Sequence, residues 1–275
     1  MSQNPGILFA GGCHLNGFPV GAENSLARVA LRYLRHPDAE NPCVLSYFNL
    51  HSTSPLIEAL RHQQPDFLVL QVGNYESLPK FEKVLGFRSS SSLSSFSFSS
   101  FSFSSSGSHS PNASLFVSNP GMQYRPTLAT RLIYARRLLL TTLFSAFGQR
   151  TRIFNPAALA ESLDSVLSSL RQFPLKGILL LSPFPCPDPL THACRRRAAK
   201  IFAAAAQKHR CLLVDTFNLF EALGRGKKFQ VNFADPSHLS RLGHDRVGLL
   251  LGESLAHAIA AAQPQPIGPA NPPAQ

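Results

Sequence analysis

The chain predicts an α/β fold: a three-layer αβα sandwich built on a five-stranded parallel sheet. Three observations lead there. Five short apolar runs, each bounded by Gly, Pro or polar residues, read as strands buried on both faces at 6–10, 43–48, 66–72, 177–182 and 211–215. Longer stretches with apolar residues at helical spacing separate most of them. This alternation calls for right-handed crossovers, which place helices on both faces of the sheet. The expected strand order is 2-1-3-4-5, with ligands held at the carboxyl ends of the strands.

Each element has its own reason. After the first strand, Leu26, Val29, Ala30, Tyr33 and Leu34 recur at helical spacing and predict a helix over 23–35, which Pro37 and Pro42 punctuate. The second strand is followed by a helix at 54–63, and the third strand by a long interruption. Further helices are expected at 127–147 and 156–172, before the fourth strand, and at 190–208, 217–223 and 239–262. Residues 89–106 are serine with interspersed phenylalanine, a tract that cannot build a core, so disorder is expected over about 86–118. Because this insert follows the third strand it hangs over the expected ligand edge, where Phe96, Phe98, Phe101 and Phe103 would cover an apolar ligand as a lid. One domain is expected over 1–262, with a disordered tail at 263–275.

Composition narrows the function. The chain has 275 residues, enough for one large domain with a substantial core. Arg131, Arg136 and Arg137 break the longest apolar stretch, 128–147, so no membrane span is expected. The N-terminus lacks a basic segment and a long apolar core, so no secretory signal is read. Cys13, Cys43, Cys186, Cys194 and Cys211 form no metal-type pair, and their odd number fits reduced thiols in a cytoplasm. The net charge is +11. Its clusters, Arg195-Arg196-Arg197 with Lys200 and Arg225-Gly226-Lys227-Lys228, come without a nucleic-acid-binding motif. The first reads as the solvated face of a helix. No nucleic-acid partner is expected, though a basic surface would favour acidic substrates or anionic lipid headgroups.

Three blocks carry the chemistry. In Ile7-Leu8-Phe9-Ala10-Gly11-Gly12-Cys13-His14, a strand runs into two glycines and a thiol, as a tight nucleophile turn requires. In Phe67-Leu68-Val69-Leu70-Gln71-Val72-Gly73-Asn74-Tyr75-Glu76, a buried strand ends in an amide that can donate to a developing oxyanion. In Asp235-Pro236-Ser237-His238, a carboxylate three residues before a histidine can fix its tautomer and leave the other ring nitrogen free to take a proton.

In this order the blocks resemble the SGNH (GDSL-like) hydrolases over roughly residues 5–262, the insert excepted. The resemblance implies a flavodoxin-like sheet and an acyl ester or thioester hydrolase with a small-molecule substrate and no metal or organic cofactor. Asp235 and His238 match the family's acid and base. Cys13 stands where the family has its nucleophilic serine, and Gly12 where it has aspartate. The family's glycine block is replaced by Asn49-Leu50-His51-Ser52-Thr53, where a backbone N–H would have to serve. Gly73-Asn74-Tyr75-Glu76 is one residue tighter than the family's third block. The implied roles are nucleophile for Cys13, base for His238, orienting acid for Asp235 and oxyanion donors for Asn74 and Gly73. His14, His51 and Glu76 are possible pocket residues, Glu76 through a structural hydrogen bond. His244 is expected to pack, and Asp215 to cap the helix that follows it. Two rival readings stay open: a catalytically degenerate protein that binds a ligand in the relic pocket, and an acyltransferase.

Overall fold

The computed structural model describes residues 4–46, 48–78, 121–146, 154–224 and 226–263. Five parallel strands form the sheet: β1 (Ile7–Gly11), β2 (Cys43–Ser46), β3 (Phe67–Gln71), β4 (Gly177–Leu181) and β5 (Leu212–Val214). Their order is β2-β1-β3-β4-β5, as expected. The register brings Gly11 beside both Ser46 and Gln71, and Gln71 beside Leu181. The turns that leave β1, β3 and β4 therefore open along one edge. Gly11 is required there: a side chain on it would meet the Gln71 carbonyl at 2.2 Å.

The helices are α1 (Leu26–Tyr33), α2 (Ser54–Gln63), α3 (Leu128–Ala146), α4 (Pro156–Leu170), α5 (Pro189–His209), α6 (Thr216–Glu221), α7 (Lys227–Gln230) and α8 (Arg241–Ala262). Strand side chains alternate between the two faces of the sheet. Leu8, Ala10, Leu68, Leu70 and Leu180 pack in one core with Leu163, Val166, Leu167 and Phe202 of α4 and α5. Phe9, Phe67, Val69, Leu179 and Leu181 pack in the other with Leu26, Ala30, Val247 and Leu251 of α1 and α8. Fully burying each such side chain contributes about 1.5–3 kcal/mol. Helices α1 and α8 approach closely because Gly248 lies against Val29 and Gly252 against Tyr33, where an added Cβ would come within 2.5 and 2.8 Å.

Local chemistry sets the boundaries. The helix expected over 23–35 is split: Ala22–Asn24 is a 3-10 turn, and an extended Ser25 caps α1 by accepting the Arg28 N–H at 3.3 Å. Asp215 caps α6 through the Asn218 N–H, as expected, at 3.1 Å. Helix α7 lies in the basic run where no element is expected, and the buried Phe229 anchors it. Arg195 departs from the expected solvated face. It is buried beneath the ligand edge, whereas Arg196, Arg197 and Lys200 of the same helix are exposed. The insert at 86–118, its four phenylalanines and residues 264–275 lie outside the described residues.

Candidate active site

The turn after β1 carries the thiol. Gly12 is extended, and Cys13 opens a 3-10 turn over Cys13–Asn16. The Gly12 N–H donates to the Gln71 side-chain oxygen at 3.0 Å, which ties this turn to the end of β3. Cys13 is buried. Its sulfur lies 3.8 Å from His14 Nδ1 and 3.8 Å from the Tyr75 hydroxyl. It also lies near enough to His238 to raise the pKa of that ring.

The Asp235–His238 loop is held by its own carboxylate. Asp235 Oδ1 accepts the Ser237 and His238 N–H groups at 2.7 and 2.9 Å, and Oδ2 meets His238 Nδ1 at 2.7 Å. The Ala234 N–H closes the loop onto the His238 carbonyl at 2.9 Å. With Nδ1–H committed to the carboxylate, Nε2 is the ring nitrogen left for Cys13. Phe18 packs edge-on against the imidazole, centroids 4.7 Å apart. Burial pulls the His238 pKa down, but the hydrogen bond to Asp235 and the nearby Cys13 outweigh it and raise the pKa to about 9. Burial likewise pushes the Asp235 carboxyl up, yet its bonds to His238 and the loop N–H groups hold it below its ordinary value.

His14 is buried beside the thiol. Its Nε2 accepts the Leu239 N–H at 3.3 Å, so that nitrogen carries no proton. Burial first, and then the neighbouring His238, hold its pKa well below the ordinary value. The neutral ring therefore keeps its proton on Nδ1 and directs it at the Cys13 sulfur. His14 is thus a donor to the thiol. His244 packs on the other side of His14, centroids 5.6 Å apart, and burial lowers its pKa to about 4.

The third block forms the opposite wall. Asn74 is buried, and its Oδ1 accepts the Phe184 N–H at 2.9 Å. That bond orients the amide and leaves Nδ2 a buried donor with no partner among the described residues. Gly73 adopts φ +88°, which turns the chain after β3. Its N–H is not an available oxyanion donor, in contrast to the expectation, because the Glu76 carboxylate takes it at 2.9 Å. Glu76 also accepts the Leu50 N–H at 3.1 Å, and Asn49 accepts that of His51 at 2.9 Å. Two backbone donors of the replaced glycine block are thus committed too. Arg195 extends beneath this wall and donates to the carbonyls of Phe184, Pro185 and Asn74.

A cleft of about 360 Å³ opens along the ligand edge. Gly12 and Tyr75 form its end nearest Cys13, and Phe48, Leu78, Phe154 and Leu159 give it an apolar floor. His51 and Glu76 line it; His14 sits beneath the thiol instead. No cluster of metal-ligating side chains occurs among the described residues, and none of their helices is long and apolar enough to cross a membrane. Sequence reasoning missed Gln71, Arg195 and Phe18, and quoted Tyr75 without giving it a role. Gln71, a polar residue ending an apolar strand, carried a legible signal. Buried Arg195, inside a basic triplet, did not.

No family model and no curated protein matches this chain. Solved structures do. An α/β hydrolase from the metagenome of Lake Arreo, Spain, is 14% identical with a TM-score of 0.51, covering 94% of this chain and 97% of that one. A catalytic mutant of an acetylxylan esterase from Geobacillus stearothermophilus is 13% identical with a TM-score of 0.51, covering 92% and 94%. A Slackia heliotrinireducens protein described as an SGNH hydrolase is 15% identical with a TM-score of 0.51, covering 92% and 100%. At these identities the likeness is one of fold: the chain has the three-layer architecture of the SGNH hydrolases.

Proposed function

We propose that this chain is an acyl hydrolase that cleaves esters or thioesters through a Cys-His-Asp arrangement. One observation carries the reading: His238 bonds Asp235 at 2.7 Å and has Cys13 close enough to raise its pKa, at a strand edge where Asn74 Nδ2 has no partner among the described residues. In this reading the Cys13 proton rests on His238 Nε2, whose raised pKa favours the charged ring at neutral pH, and the sulfur attacks the acyl carbonyl. Asp235 holds the imidazolium that forms. Asn74 Nδ2 and the Cys13 backbone N–H donate to the oxyanion. Collapse of the tetrahedral intermediate breaks the bond to the leaving alkoxide or thiolate, which His238 protonates. Water, deprotonated by the same ring, then adds to the acyl-cysteine and releases the acid. The His14 Nδ1–H stabilises negative charge on sulfur. This role suits a thiol nucleophile and supports the exchange of cysteine for serine. The apolar floor of the cleft supports an acyl substituent as its occupant. The five free cysteines support a reducing compartment such as the cytoplasm.

Relic ligand binding is a second reading, favoured by the engagement of the Gly73, Leu50 and His51 N–H groups, which leaves fewer donors for an oxyanion. Hydrolysis rates on one activated ester separate the two. The hydrolase reading expects loss of turnover in Cys13→Ala, partial turnover in Cys13→Ser and at least about a 100-fold loss in His238→Ala. It also expects an acyl-cysteine at Cys13 by mass spectrometry of quenched protein. Negligible turnover in the parent, or equal rates in all four proteins, refutes it.

A further inference from the structure

Helix α3 leaves large apolar side chains in solvent. Leu128, Leu132, Ile133, Leu138 and Leu139 are between 44 and 74% exposed. A protein surface rarely leaves so many along one helix without a use. At 100° per residue, Leu128, Leu132, Ala135 and Leu139 fall within an arc of about 60°. Arg131 and Arg136, both exposed, flank that arc on either side. The helix contains no acidic residue. Its inner face is fastened: Tyr134 bonds the Tyr124 hydroxyl at 2.8 Å, and the Tyr124 N–H donates to the Phe233 carbonyl at 2.7 Å, two residues before Asp235. The apolar row therefore faces outward from an element tied to the proposed catalytic loop.

We propose that α3 is an interfacial helix that seats this face on an anionic lipid surface. The arginine spacing fits: leucines enter the acyl boundary while the two flanking guanidinium groups reach back to phosphate headgroups. Charge selects the occupant. The protein carries 26 Lys and Arg against 15 Asp and Glu. A second copy docked by two-fold symmetry would set the same arginine-flanked, acid-free helix against itself, like charge on like. An anionic bilayer offers the complement. The helix is 19 residues long, but it lies in the plane of the surface because it does not meet the requirements of a span.

The test is co-sedimentation of the full chain with phosphatidylcholine vesicles containing or lacking phosphatidylglycerol. Binding is expected to the anionic vesicles and to weaken with salt. Leu132→Ser with Leu139→Ser should lower partitioning at least about tenfold. Arg131→Gln and Arg136→Gln should each lower it by about fivefold on anionic vesicles alone. Because all four side chains are exposed, the circular dichroism melt and turnover of a short water-soluble ester should match the parent. Absence of binding by the parent, or undiminished binding by the leucine and arginine variants, overturns the proposal. So does a parent that sediments as a dimer which the leucine pair dissociates, since the face then joins two copies.

Discussion

Replacing Asp235 by Asn removes the charge and one of the two acceptor oxygens. The amide oxygen can still accept the Ser237 and His238 N–H groups, but the NH2 then faces His238 Nδ1 and donates where the carboxylate accepted. The His238 pKa, which the carboxylate helps raise from 6.5 to about 9, should therefore fall. A folded pKa above the unfolded value contributes stability that is complete below about 6.5 and is lost as pH rises through about 9. The full gap corresponds to about 3 kcal/mol, and about 2 kcal/mol of it disappears between pH 6.5 and 8.5. For a domain of this size that is a fall in Tm of about 4–8 °C. The window stops below pH 9 because the buried thiols of Cys186 and Cys194 and the half-buried thiol of Cys211, with pKa values raised by burial to about 11, begin to contribute there. Below pH 6.5 the sign reverses. His14 and His244 have lowered folded pKa values, so their contribution is lost as pH falls, and the parent should be most stable near pH 6.5–7. The assay is thermal or urea unfolding followed by circular dichroism at pH 6.5, 7.5 and 8.5. Asp235→Asn should flatten the decline to less than about half. A parent whose stability does not change across the window, or a variant with the parent's slope, refutes the assignment of the raised pKa to the Asp235–His238 pair.

Two further outcomes follow from the geometry of the site and of the helix packing. Asn74→Ala should lower kcat by about 100-fold or more with a smaller change in KM, since it removes a donor used as charge develops. An unchanged kcat excludes Asn74 from the oxyanion site, and a melt run alongside registers the unpaired Phe184 N–H. Gly248→Ala should destabilise the protein by about 1–3 kcal/mol in urea unfolding, because its Cβ would sit 2.5 Å from Val29. A neutral result would show that α1 and α8 can separate freely.

The sheet was legible because each of its strands is buried on both faces and so reads as an apolar run. All five expected strands overlap the observed ones, and their order is the flavodoxin-like one expected. Boundaries were less legible where a single polar atom decides them. Ser25, by capping α1 in an extended conformation, divides what the hydrophobic period reads as one helix. The Asp235–His238 contact was also open to reading, since three residues of loop hold both groups within reach of each other.

Other features depend on groups distant in sequence and so belong to the tertiary structure. Leu239, 225 residues from His14, donates to its Nε2 and thereby selects the tautomer that turns a proton toward Cys13. Phe184, 110 residues from Asn74, occupies the amide oxygen and leaves its nitrogen without a partner among the described residues. Glu76 takes the Gly73 N–H that the motif alone offers to a substrate. The burial of Arg195 depends on the turns after β3 and β4 closing over it, which its basic neighbours conceal. Periodicity and short-range spacing determine which residues face a core and which lie within one turn of each other. The protonation, orientation and availability of a donor are set by whichever chain segment packs against it, and the folded chain decides that.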